Sequence, residues 1–400
     1  MQHGKTRDAP IPDRAALHPC YPMFFESAFE SGMSSGDYHI RLGGALKREF
    51  GSLSLSGPTA ALAFRTALAS LLAMLLAMLL HLDNPYWAAI TAISIIQPDR
   101  ASSFIRSFDR CLGTIAGAVA GYFGAHFVAD HLIFQAICAG AVAFGIYGME
   151  RSAHGYAVLL GAVTVILVMF GALQTPDAAL SLAVYRSLEI IVGVIACYVV
   201  GLVLPPTAPS PPAAPKPGIF AAPADQGLLV IAITGGIAIA VIPVIWNALE
   251  LPGLGQTPIT AFVVLMAMRR EPGWTAANRL AGCLLGGAYG LLCMRFVDDN
   301  VWLWLVLLFA GLYVSSHVKH GNGDAAYAGH QAAVAILLSM VQGFAPSPDI
   351  LPAINRLVGI VGGIVVVVAA NALLMPLVAW TISAIFRRSA AARIARPRDG

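Results

Sequence analysis

The sequence predicts an all-α polytopic membrane protein of about twelve transmembrane helices, laid out as two parallel six-helix repeats with both termini in the cytoplasm. Three observations predict it. The chain is 58% hydrophobic and only 11% charged, with a mean hydropathy of +0.75. Globular proteins carry roughly 25% charged residues, and no soluble core needs so much apolar side chain. Shifted by 169 positions, residues 90–128 lie ungapped on 259–297, and ten of those 39 positions are identical. Self-similarity over so long a period in an apolar chain points to two fused copies of one membrane unit, as transporters often are. The third observation is the distribution of Lys and Arg, which fixes the direction of each span.

Residues 1–57 read as a polar cytoplasmic tail, because no apolar run follows a basic start as a cleavable signal peptide requires. Within it, Asp37–Leu53 suits either a short amphipathic helix on the membrane surface or a disordered tail. The first repeat, 58–206, gives spans near 58–81, 85–98, 108–128, 131–148, 155–173 and 182–205. Residues 207–226 form a Pro/Ala-rich cytoplasmic linker whose proline density favours a stiff, extended spacer. The second repeat, 227–386, gives 227–249, 256–268, 277–297, 301–317, 326–344 and 354–386, and a basic cytoplasmic tail, 387–400, follows. A membrane helix wants about 20 apolar residues. The second and eighth spans fall short at matching places, which either marks a substrate path or reflects tilted helices running on into their loops.

With the N-terminus inside, the inner segments hold 20 of the 24 Lys and Arg residues. Only Arg186, Arg295 and Arg356 lie outside, and Arg65 lies within the first span. Each copy has an even number of spans, so both insert the same way up. The six cysteines show no zinc or C-x-x-C spacing and read as small apolar packing residues, with no metal site. No Walker loop, dinucleotide fingerprint, HExxH or nucleophile elbow is present, so the reading is a non-enzyme without cofactors. The basic residues belong to membrane loops, which leaves no nucleic-acid surface.

Gly113, Gly117 and Gly121 fall on one helical stripe, as do Gly282, Gly286 and Gly290 in the second copy. Lipid offers little hydrophobic drive between helices, so close backbone approach through such stripes marks the third and ninth spans as packed helices.

The run Asn84-Pro85-Tyr86-Trp87-Ala88, then Ile96-Gln97-Pro98, Arg106, Arg110, Gly113-Thr114 and Gly117, resembles the fusaric acid resistance and aromatic carboxylic acid efflux family. Arg186-x2-Glu189, Gly193 and Pro206 resemble its sixth helix, and Arg356, Gly363 and Pro376 repeat that pattern. The resemblance covers roughly 58–206 well and 227–380 more loosely. It implies a six-helix module, a multi-pass location in the bacterial inner membrane, and proton-driven export of organic anions, with a periplasmic adaptor protein as a further partner. The second copy departs from the pattern: Met266-Ala267 replaces Gln97-Pro98, Cys283 replaces Thr114 and Gly359 replaces Glu189. On that basis the first copy carries more of the chemistry.

The arginines are weighed on their own terms. Arg100, Arg106 and Arg110, with Arg269, Arg270 and Arg279, make two basic rims at the cytoplasmic face. They are there either through topology alone or to collect anions at a pore mouth. Arg110 and Arg279 are the stronger candidates, because each starts a packed helix. Arg186 and Arg356 break the charge rule at equivalent places, either snorkelling to the outer headgroups or lining the exit of an anion path. Arg65 either snorkels inward or faces the same cavity. Glu189, one turn below Arg186, either neutralises it or accepts a coupling proton. His330, beside Gln331, is a helix-packing histidine or a second proton carrier. The expected function is proton-coupled efflux of small organic anions, aromatic carboxylates first. The alternatives are a passive anion channel of the same architecture and a non-transporting membrane scaffold subunit.

Overall fold

The computed structural model describes residues 35–209, 225–269, 272–297, 300–321, 323–343 and 351–394. The tail before residue 35, linker residues 210–224, Arg270 and the chain after residue 394 lie outside the described residues. The described elements are helical throughout. A helix over Ser35–Gly51 (α1) precedes Pro58–Leu79 (α2), Tyr86–Ile95 (α3), Arg100–Ala125 (α4), His131–Arg151 (α5), Gly155–Gln174 (α6) and Ala179–Val203 (α7). After the linker come Gln226–Ala248 (α8), Thr257–Met266 (α9), Pro272–Val297 (α10), Val301–His320 (α11), Ala326–Met340 (α12) and Leu351–Ala369 (α13). A π-turn at Ala370–Leu374 then leads into Met375–Ile394 (α14).

Among the described residues, eight helices are long and apolar enough to cross a membrane. Three further apolar helices, α3, α9 and α12, are shorter. The remaining expected span, α4, is 26 residues long but carries Arg100, Arg106, Asp109 and Arg110. Its exposed face is nonetheless a stripe of Phe104, Phe108, Leu112, Ile115, Val119 and Phe123, while Arg110, Gly113, Thr114, Gly117 and Gly121 are buried. Such a helix, apolar outward and polar inward, suits hydrocarbon outside and a polar interior.

Helix starts follow from side-chain caps. Asp99 accepts the amide of Ser102 at 2.8 Å, Asp130 those of Leu132 and Ile133 at 3.1 Å, Asp225 that of Leu228 at 3.0 Å and Asn300 that of Leu303 at 3.0 Å. The Asp99 cap corrects the expected start of the third span. The helix begins at Arg100 rather than near residue 108, so the stretch 100–110 is its first turns and not a loop. Likewise α10 begins at Pro272 rather than near residue 277, α11 runs on through Lys319 to His320, and α12 stops at Met340.

Packing is organised around four close helix pairs. α4 lies along α6 and α10 along α12; α5 lies along α8 and α11 along α2. In the numbering expected from the sequence, the first two pairs join third and fifth spans within a half, and the last two join the fourth span of each half to the first span of the other. α7 packs along α2, whereas α13 stands off from α8. The gap is an apolar groove of about 740 Å³ whose walls include Ile237, Val241, Trp246, Val361 and Val365. Helix α1 packs on the second half of the chain: Arg41 pairs with Asp324 at 3.3 Å and lies 4.4 Å from the centre of the Trp274 ring, and Ala45 is buried against Val318 and Ala325. All five described cysteines are free, and four are buried.

Candidate functional site

The site is assembled from the two shortest helices. α3 and α9 have ten residues each, about 15 Å at the usual helical rise, or half the hydrocarbon thickness. Pro85 precedes α3 and Pro258 sits in the first turn of α9. Beyond Ile96 the chain is extended into Gln97-Pro98. A helix that stops midway leaves room for a neighbour's side chain to enter the interior.

Arg110 and Arg279 occupy that room. Arg110 Nε donates to Thr91 Oγ1 at 3.1 Å and Nη1 to the Tyr156 hydroxyl at 2.9 Å. Arg279 repeats both contacts, with Thr260 at 3.2 Å and Tyr327 at 3.1 Å. Each threonine hydroxyl gives its own proton to a carbonyl one turn back, Trp87 at 2.9 Å and Gln256 at 3.1 Å, so its lone pairs are left to face the guanidinium. Both arginines are buried, at 5% and 4% exposure, and this corrects their expected position on a solvent-facing rim. The reason is the early helix start, which carries each arginine a few turns into the bundle.

The glycine stripes set the depth of this arrangement. A Cβ on Gly113 would lie 2.9 Å from the Ala157 carbonyl carbon, and one on Gly117 2.9 Å from that of Gly161. On Gly282 it would lie 2.7 Å from Gln331 Cβ, and on Gly286 2.7 Å from Ala332 Cα. Gly121 and Gly290 meet Val168 and Ser339 in the same way, at 2.9 and 2.7 Å. Backbone-to-backbone contact of α4 on α6 and of α10 on α12 thus brings Tyr156 and Tyr327, each in the first turn of its helix, within reach of the arginines.

The other sequence-selected residues surround this centre. Arg186 Nη1 lies 3.9 Å from Glu189 Oε2, and its guanidinium stacks 3.5 Å from the centre of the Trp87 ring. The second Glu189 oxygen accepts the Asn84 amide at 2.9 Å. Arg356, at 4% exposure, donates to Gln331 Oε1 at 3.0 Å and to Gln256 Oε1 at 3.4 Å. Arg65 is buried at 4% exposure, with Nε and Nη1 lacking a hydrogen-bond partner. His330 stacks on Tyr327, with ring centres 6.4 Å apart.

Sequence reasoning missed Thr91, Thr260, Tyr156, Tyr327, Gln256, Gln331 and Lys319 as site residues. Thr91 and Thr260 were visible, inside the repeated Ile-Thr-Ala. The tyrosines were not, because they correspond at a shift of 171 rather than 169 and fall beyond the ungapped block. Lys319 sat in an expected loop; its ammonium donates to the Ile93 carbonyl beside Thr91, and Thr66 contacts the next residue, His320, at 3.0 Å. Tyr156, Tyr327, Lys319, His320 and His330 stay partly exposed, so the cluster is not sealed.

Chemically, the centre offers donors. A guanidinium has five N–H donors and no acceptor. The oxygen atoms that receive Arg110 and Arg279 are neutral hydroxyls, and neither pairs with a carboxylate among the described residues. Asp109, next to Arg110, is instead bound to His154 at 2.7 Å. No group of His, Cys, Asp and Glu able to hold a metal occurs among the described residues.

Comparison with known proteins agrees with the helix architecture. Residues 59–217 match the model of the fusaric acid resistance protein family, and residues 227–370 match that of the fusaric acid resistance protein-like family. No curated protein and no solved structure matches the chain.

Proposed function

The chain belongs to the fusaric acid resistance protein family of membrane proteins, and from that premise we propose that it exports small organic anions, aromatic carboxylates first, across the bacterial inner membrane. In this reading the halves are parallel six-helix repeats, together twelve spans, with both termini in the cytoplasm. They form a fused dimer around one anion path lined by Arg110, Arg279, Arg186, Arg356 and Arg65. The fourth-on-first helix contacts between halves support it, because a two-fold interface must make each contact twice.

One observation carries the proposal: Arg110 and Arg279 are buried, pair with no carboxylate among the described residues, and are each held by one threonine and one tyrosine in matching geometry. Removing a cation from water without a counter-charge costs several kcal/mol even after relaxation. A protein that keeps two such cations in equivalent places is built to receive an anion there. Glu189 is the proposed proton acceptor for coupling, with His330 as the second candidate.

Benzoate uptake into proteoliposomes tests it. The wild-type chain should accumulate benzoate above its outside concentration when a proton gradient is imposed. Dissipating the gradient should leave only equilibration. Equilibration alone under both conditions assigns a passive channel, and no uptake at all assigns a scaffold role. Glu189→Gln should keep downhill benzoate flux and lose the uphill component; uphill transport at the wild-type rate would rule Glu189 out.

A further inference from the structure

Resting on the anion-transport reading, we infer that the anion comes to rest in the second half of the molecule, at Arg356 and Arg279, because the equivalent place in the first half is already filled by a protein carboxylate. Arg186 and Arg356 are 170 residues apart and stand at the same place on α7 and α13. Each has the equivalent arginine, Arg110 or Arg279, as a charged neighbour, but their other partners differ. Arg186 has the Glu189 carboxylate at 3.9 Å and the face of Trp87 at 3.5 Å. Arg356 has Gln256 where the first half has Trp87, Gly359 where it has Glu189, and Gln331 where it has Leu160.

The two amides orient Arg356 without neutralising it. Its Nε is buried and has no hydrogen-bond partner. Arg279, the Cys283 thiol and the Tyr327 hydroxyl are its titratable neighbours, and it pairs with no carboxylate among the described residues. No side chain at position 359 is able to supply the missing charge, since a Cβ there would lie 2.6 Å from Gln256 Cβ. Among the described residues no carboxylate pairs with Arg356, and in this reading a bound anion supplies the counter-charge. A small carboxylate has the right chemistry: two acceptor oxygens, one for each guanidinium. The first half, with Arg186 already neutralised, then serves passage rather than residence. This reverses the weight that the better family resemblance gives to the first copy.

The test uses the full chain in detergent with benzoate as probe, read by thermal unfolding, and the same variants in proteoliposomes. Gln331→Glu is nearly isosteric and places a carboxylate beside Arg356. It should raise the melting temperature of the unliganded protein, cancel the benzoate-induced rise and weaken benzoate by roughly tenfold to a hundredfold. Arg356→Gln should also lose the benzoate-induced rise. Gln331→Leu, which installs the residue of the first half and leaves the cation, should keep it. Wild-type benzoate affinity in Gln331→Glu or Arg356→Gln, or its loss in Gln331→Leu, would overturn the assignment. A wild-type chain that carries no benzoate fails the transport reading itself, whereas wild-type flux that Gln331→Glu leaves unaltered fails only the placement of the site.

Discussion

The guanidiniums of Arg110 and Arg279 are oriented by hydroxyls, and a hydroxyl is the partner that fixes a guanidinium while leaving its charge in place. Thr91 and Thr260 hold Nε; Tyr156 and Tyr327 hold Nη1. Removing one hydroxyl leaves a buried donor unsatisfied, at a cost of about 1–3 kcal/mol. Tyr156→Phe and Tyr327→Phe should therefore each lower stability by that amount in thermal unfolding, with secondary structure intact. Equal melting temperatures for variants and wild type would mean that the two bonds contribute nothing. At this scale the sequence was partly legible. The repeated arginines stood out because charge is rare in the chain, but their partners are ordinary Thr and Tyr residues whose role appears only when helices cross.

Among the elements, the two glycine-bearing helices and the two ten-residue helices do the positioning. On α10 the neighbours Gly286 and Gly287 separate packing from propensity. A Cβ at Gly286 would lie 2.7 Å from Ala332 Cα, whereas at Gly287 nothing lies within 4 Å. Gly286→Ala should destabilise the protein by about 1–3 kcal/mol through overpacking. Gly287→Ala should stabilise it by up to about 1 kcal/mol through helix propensity. Melting curves of the pair check this, and the reverse order would refute the packing of α10 on α12. The glycine stripes were legible because a period of four is a local property of the sequence. Helix ends were less so. Basic residues at 100–110 look like a loop to any hydropathy reading, and only the Asp99 cap and the burial of Arg110 explain why they are helical.

Considered whole, the molecule in the proposed reading is a duplicated chain whose halves have diverged where charge is concerned. The fourth-on-first contacts predict that the covalent linker is dispensable: halves divided within residues 207–226 and co-expressed should co-purify and retain benzoate flux, measured in proteoliposomes. Halves that never associate would show that the interface does not hold by packing alone. The duplication was visible in ten shared residues, yet the electrostatic difference between halves was not, because Gln256, Gln331 and Gly359 acquire meaning only around Arg356. The central claim, that Arg110 and Arg279 serve one shared anion path, is tested most directly by benzoate flux in a double-mutant cycle. Arg110→Gln and Arg279→Gln should each slow flux by roughly tenfold or more, and the double variant should fall short of the product of the two effects, as residues acting on one ligand do. Single variants that each halve the flux, with a double variant that abolishes it, would mean two independent paths and contradict the account.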